Sequence, residues 1–224
     1  MTYAIIQNGD SRSFPEGDAF LVAAGAIGDA DVLVLLGRPK LLPDAAKAAV
    51  LVELGSECLG FHTGEDSDEP SNVVGFARYR NGNDAPSPLV ELVRQPNTSA
   101  EALAAARALF ERAGLAVVVS ADQAGRIIDR LVRPKYNAAL KLLDEGLGSQ
   151  KDIDLTCRLG LGYADGPIER AVRGGLAEHH DISAALFKVY ATPAYAPARK
   201  ALVAAQRRDE ALERLGKVIC GPSH

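Results

Sequence analysis

Short apolar runs separated by turn residues fill the first half of the chain, and the period becomes helical in the second. The runs YAIIQ (3–7), AFLVAA (19–24), DVLVLLG (31–37), ECLGFHT (57–63), NVVGFARY (72–79), PLVELV (88–93) and LAVVVS (115–120) predict strands. Several are apolar at consecutive positions, which suits a parallel sheet covered on both faces. Two helices interrupt them. One is expected at residues 44–54, with Asp44 as N-cap and Gly55 just past its end. The other opens at TSAEALAAARALFERAG, capped by Thr98 or Ser99, with Glu101 in its first turn and Gly114 as its stop. The acidic segment GEDSDEPSN (64–72) reads as a solvated loop.

From Ala121 onward the pattern is helical. Ile127, Ile128, Leu131, Leu140, Leu142 and Leu143 carry a long helix to about Gly146, which Pro134 is expected to kink or divide. Ser149 caps the next helix, with Asp152 placed as in a capping box ahead of Ile153, Leu155 and Leu159. Pro167 fits the first turn of PIERAVRG. Two more helices follow, DISAALFKVYA and ARKALVAAQRRDEALERLG. The expected fold class is α/β plus all-α, with an α/β domain over residues 1–121 and a helical domain over 122–224.

Composition narrows the function classes. The 224 residues are 47% apolar and can bury a full core. A net charge of -4 argues against nucleic acid or an anionic membrane as partner. No apolar run approaches the span of a bilayer. MTYAIIQNGDSR has no basic stretch ahead of an apolar core, so no secretory signal is expected and the location expected is cytoplasmic. The three cysteines (Cys58, Cys157, Cys220) are odd in number and widely spaced, which suits reduced thiols. Among the four histidines, His179 and His180 read as a polar helix start and His224 is terminal; no metal cluster can be assembled.

The succession PLVELVRQPNTSAEAL, GLAVVVSADQAGRIIDRLVRPKYNAALKLLDEG and SQKDIDLTCRLGLGYADGPIE resembles the 3-hydroxyacyl-CoA dehydrogenase family. It matches from the last strands of that family's nucleotide-binding domain into its helical C-terminal domain. The resemblance is good over residues 72–175, loose over 176–224, and rests on strand order alone over 1–71. It implies a truncated, Rossmann-like, mostly parallel sheet followed by a helical dimerisation domain.

The family's cofactor is NAD, and dinucleotide binding needs a glycine-rich turn between a first strand and a helix. Gly25-Ala26-Ile27-Gly28 leaves about six residues before the next strand, where a parallel crossover needs about a dozen. Asn8-Gly9-Asp10 is followed by SRSFPEG, in which Pro15 and Gly17 make a poor helix. No acidic residue stands at the spacing that holds a ribose. No cofactor is therefore expected, and the nucleotide half reads as shortened by a βαβ unit or more.

The family's chemistry rests on a histidine in a motif like GLHFFNP and a glutamate in LVEV. LVEL supplies Glu91 in register, but Gly75-Phe76-Ala77-Arg78-Tyr79-Arg80 puts Ala77 at the histidine position. A methyl group cannot move a proton. A second alignment, through Gly60-Phe61-His62, would make His62 the base; alternatively His62 is a strand-end histidine bonded to backbone or water. Glu91 likewise reads two ways, as a site carboxylate or as one salt-bridged to a neighbour such as Arg94. In helices like GFIVNRLL the family places an asparagine facing the site, and GRIIDRLV has Asp129 there, neutralised by Arg126, Arg130 or Arg133 or paired locally.

The leading reading is an acyl-CoA-binding or accessory relative impaired in NAD-dependent oxidation. In it Glu91, Asp129, Arg133 and the loop 81–88 line the acyl-CoA wall, and Arg78, Arg80, Arg126, Arg130 and Arg133 are offered to phosphates. The alternatives are an active dehydrogenase using His62 with Glu91, and a purely structural dimerisation module. The resemblance also implies a homodimer through the C-terminal helices, with Gly160, Gly162 and Gly166 small enough for close approach.

Overall fold

The computed structural model describes residues 1–37, 40–65 and 67–219, with side chains as far as residue 213; Cys220 and His224 lie outside the described residues. Strands β1 (Tyr3–Asn8), β2 (Val32–Gly37), β3 (Ala49–Glu53), β4 (Val73–Arg78), β5 (Leu89–Arg94) and β6 (Ala116–Ala121) form one sheet in the order β1-β2-β3-β4-β5-β6. β1 to β4 run parallel, β5 is antiparallel to β4, and β6 is parallel to β5. A mostly parallel sheet followed by helices is the fold class the pattern predicts.

Three local expectations fail, each because partners distant in sequence override the local pattern. AFLVAA is not a strand but a four-residue helix, α1 (Ala19–Val22). Asp18 accepts the Phe20 N–H as its cap, and Phe20 stacks on Phe14 and Tyr3. The helix expected at 44–54 is instead a turn followed by β3; Asp44 accepts from Ala46 N–H as a turn residue, and all five residues of AVLVE are buried. A run of Val and Leu between two neighbouring strands gains more from two-sided burial than alanine propensity can offer a helix. ECLGFHT is not a strand either: Asp122 accepts the Leu59 and Gly60 N–H groups and opens the short helix α2 (Gly60–Thr63).

Both faces of the sheet are buried. On one, Val32, Val34, Leu36, Leu51, Phe76 and Leu92 pack with Phe14 and Phe20 and beneath α3 (Ala100–Arg112). Ser99 caps α3 through the Ala102 N–H, as read from the sequence. On the other, Leu33, Leu35, Val50, Val52 and Val93 pack with Leu54 and Leu59, so connecting segments cover this face.

The helical half contains α4 (Ile128–Asp144), α5 (Gln150–Leu161), α6 (Pro167–Arg173), α7 (Leu176–Tyr190), a single 3-10 turn (Pro193–Tyr195) and α8 (Arg199–Ile219). Pro134 does not divide α4, which continues through it at the expense of one backbone bond. Ser149 and Asp152 make the expected capping contacts. Pro167 opens α6, whose Ile168 and Glu169 N–H groups are capped by the buried Asp154. Tyr136, Leu140, Ile168 and Ala201 form the core here. Two compact units result: Met1–Arg80 with Asp84–Ile128, and Asn81–Asn83 with Asp129–His224. No helix among the described residues is long and apolar enough to cross a membrane.

Candidate functional site

The β4–β5 pairing sets Ala77 directly opposite Glu91. Residues so paired in an antiparallel ladder project from the same face at close range. The residue directly across from Glu91 is therefore an alanine, which offers a methyl group. Glu91 is 2% exposed. One carboxylate oxygen accepts from the N–H groups of Ile127 at 2.9 Å and Ile128 at 3.1 Å, at the opening of α4. The other lies 3.7 Å from Arg126 Nε. Arg126, in the left-handed region at φ 48°, is itself buried and donates to the Gly55 carbonyl at 2.7 Å. A carboxylate at a helix N-terminus meets the orphan N–H groups and the positive end of the helix dipole. Arg94, suggested from the sequence as the partner of Glu91, is exposed on β5.

His62 sits on α2 with its Nε2 3.3 Å from a Glu57 carboxylate oxygen and its ring edge-on to Phe61. The structure thus brings His62 to Glu57, while Glu91 is engaged at the start of α4. Asp129 and Arg133 do come together, one turn apart on α4, at 2.8 Å and both buried. Arg133 reaches on to His179 Nδ1 at 3.4 Å, and His179 Nε2 lies 2.9 Å from Asn137 Oδ1. Asn137 donates to Ser183 and to the Ala194 carbonyl. Since a guanidinium can only donate, Nδ1 must accept, so Nε2 carries the hydrogen and the imidazole is neutral. Burial, then the charges of Arg133 and His180, lower the His179 pKa to about 3.

The other arginines offered to phosphates are also engaged. Arg78 pairs with Asp18 at 2.9 Å, Arg80 donates to the Asp84 carbonyl at 2.8 Å, and Arg130 lies over the Tyr190 ring at 4.5 Å. No group of three metal-ligating side chains exists among the described residues.

The dinucleotide requirement is not met by the residues present. Among the described residues, the links between β1, β2, β3 and β4 contain no helix longer than the four residues of α1 and α2. The parallel strands follow one another in sequence order, so nowhere among them does the order reverse to open the crevice in which such sheets take nucleotides. The loop after β1 directs Ser11 Oγ and Ser13 N–H at the carboxylate of Glu53.

Some participants escaped the sequence reading. Arg126 was assigned to Asp129 or to phosphates rather than to Glu91, and nothing announced the N–H groups of Ile127 and Ile128. Glu53 lay inside an expected helix. His179 was read as a polar helix start, yet it is buried; its spacing to Ile182 and Leu186 puts it on the apolar face of α7, and that period was the available signal. The three glycines assigned to close approach divide: a Cβ on Gly160 would meet only Thr156 Cγ2 at 3.9 Å, Gly162 ends α5 in a left-handed conformation, and a Cβ on Gly166 would collide with Asp154.

Residues 125–214 match the model of the 3-hydroxyacyl-CoA dehydrogenase C-terminal domain. The 3-hydroxybutyryl-CoA dehydrogenase of Bradyrhizobium diazoefficiens is 31% identical over 134 residues, 58% of this chain and 44% of the relative. The mitochondrial hydroxyacyl-coenzyme A dehydrogenase of Sus scrofa is 37% identical over 81 residues, 36% of this chain and 26% of the relative. The chain therefore matches less than half the length of these relatives. Among solved structures, FadB2 of M. tuberculosis superposes with a TM-score of 0.68 at 19% identity, covering 80% of this chain and 66% of that one. The (S)-3-hydroxybutyryl-CoA dehydrogenase of Ralstonia eutropha gives 0.62 at 24%, covering 77% and 64%. These two share the fold.

Proposed function

We propose that this chain, whose residues 125–214 carry the C-terminal domain of the 3-hydroxyacyl-CoA dehydrogenases, is a relative that does not perform NAD-dependent oxidation and acts as an acyl-CoA-binding or accessory protein. The observation that carries this reading is the pairing of Ala77 with Glu91. Oxidation of a hydroxyl needs a base to take its proton as hydride leaves. At the position paired with the glutamate there is no such group, and the glutamate's own oxygens accept from the opening of α4. The uninterrupted strand order supports the same reading, because it offers no crevice for a dinucleotide.

A homodimer through the helical half belongs to the proposal. Leu131 on α4 and Leu155, Leu159 and Leu161 on α5 are exposed, and Leu155 and Leu159 share one helix face. Large exposed side chains adjacent on one helix face, as Leu155 and Leu159 are, favour an interaction surface.

Calorimetry with acetoacetyl-CoA tests the ligand. Saturable heat, with no accompanying oxidation of NADH, is the expected result. No heat at millimolar ligand would remove the acyl-CoA reading and leave a structural, dimer-forming module.

A further inference from the structure

Glu53 ends β3 and is 4% exposed. One of its oxygens accepts from Ser11 Oγ at 2.9 Å and from Ser13 N–H at 2.8 Å; the other accepts from Gly37 N–H at 2.7 Å. The donors come from the loop after β1 and from the end of β2, so three successive parallel strands converge on one carboxylate at their carboxyl ends. Neighbouring bonds hold the donors in place. Ser11 Oγ accepts the Phe14 N–H, and Ser13 Oγ accepts the Arg78 N–H. Gly37 has φ +84°, and a Cβ there would collide with the Asn8 carbonyl, so the ends of β1 and β2 meet closely enough to aim its N–H inward.

Fixed N–H and O–H groups converging on two oxygens form a cradle for an oxyanion. Here the chain provides the anion itself. We propose that the Ser11–Ser13–Gly37 cradle is an oxyanion site occupied by the protein's own Glu53 carboxylate, and that removing this side chain opens it to small free carboxylates. The unit then folds around an internal anion. This inference rests on the donor geometry alone and is tested without NAD, so its failure is distinct from failure of the proposed function.

The experiment follows thermal unfolding of the wild type, Glu53→Ala and Glu53→Gln in acetate, formate or chloride at matched ionic strength. Glu53→Ala is expected to melt lower than the wild type in chloride and to recover in acetate and formate with a midpoint in the millimolar range. The wild type and Glu53→Gln, whose cradle stays filled, should not distinguish the anions. Should Glu53→Ala not fold in chloride, its refolding yield from urea is read instead, and acetate should raise it several-fold. Adding Ser11→Ala to Glu53→Ala removes one donor and should move the acetate midpoint several-fold higher. A Glu53→Ala protein indifferent to acetate and formate by both readouts, or a wild type that responds equally, overturns the proposal.

Discussion

Ala77 and Glu91 face one another across the β4–β5 ladder, and both are buried. Placing an imidazole there is a direct question to put to the site. Ala77→His is expected to leave acetoacetyl-CoA-dependent NADH oxidation at background, because on the proposed reading the strand order also offers no crevice for a dinucleotide. Turnover gained on this single change would mean that the cofactor site is intact.

The role of Glu91 is separable by stability. Its carboxylate serves two backbone N–H groups and lies beside a buried guanidinium. Removing one partner of a buried charge pair costs about 3–5 kcal/mol, and leaving a buried donor unsatisfied costs about 1–3 kcal/mol. Glu91→Ala should therefore lose on the order of 3 kcal/mol in urea unfolding, and Glu91→Gln, which keeps an acceptor oxygen, should lose less. A Glu91→Gln protein as stable as the wild type would point instead to a carboxylate retained for chemistry.

The His179 network predicts a pH dependence. In the unfolded chain this imidazole takes up a proton near its ordinary value of 6.5, whereas in the fold burial and Arg133 delay protonation to about 3. Between those values the unfolded state binds more protons, so the contribution of neutral His179 is complete above 6.5 and is lost as pH falls through that window. The slope is about 1.4 kcal/mol per pH unit. Urea unfolding from pH 4.5 to 6.5 should be steeper in pH for the wild type than for His179→Gln by about that amount. Equal slopes would show that His179 can be protonated within the fold.

Much of this was legible in the chain. Ser99, Ser149 and Pro167 place helix starts because the caps are local interactions among neighbours in sequence. The resemblance to the family placed Ala77 and His62 as alternative partners of Glu91, and the ladder pairs Glu91 with Ala77. Within the first 63 residues β1 and β2 were legible as apolar runs, but the segments 19–24, 44–54 and 57–63 were not, because their structure depends on distant partners. AVLVE becomes a strand only between β2 and β4, and GFHT becomes a helix only because Asp122, far along the chain, caps it. Glu91 likewise acquires its partners through the left-handed turn at Arg126, a conformation that no residue type announces.

Assembly is tested on α5. Leu159 is 79% exposed, one turn from the exposed Leu155. Light scattering of the wild type should report about twice 23.6 kDa at micromolar concentration, and Leu159→Glu should shift the mass toward 23.6 kDa with unchanged circular dichroism. A wild type that is monomeric across this range would remove the dimer.

The most direct measurement is titration of the wild-type protein with NADH, followed by nicotinamide fluorescence. A sheet without a strand-order reversal or a glycine-rich strand–turn–helix predicts no saturable change at physiological cofactor concentration. A saturable change with micromolar affinity would contradict the account.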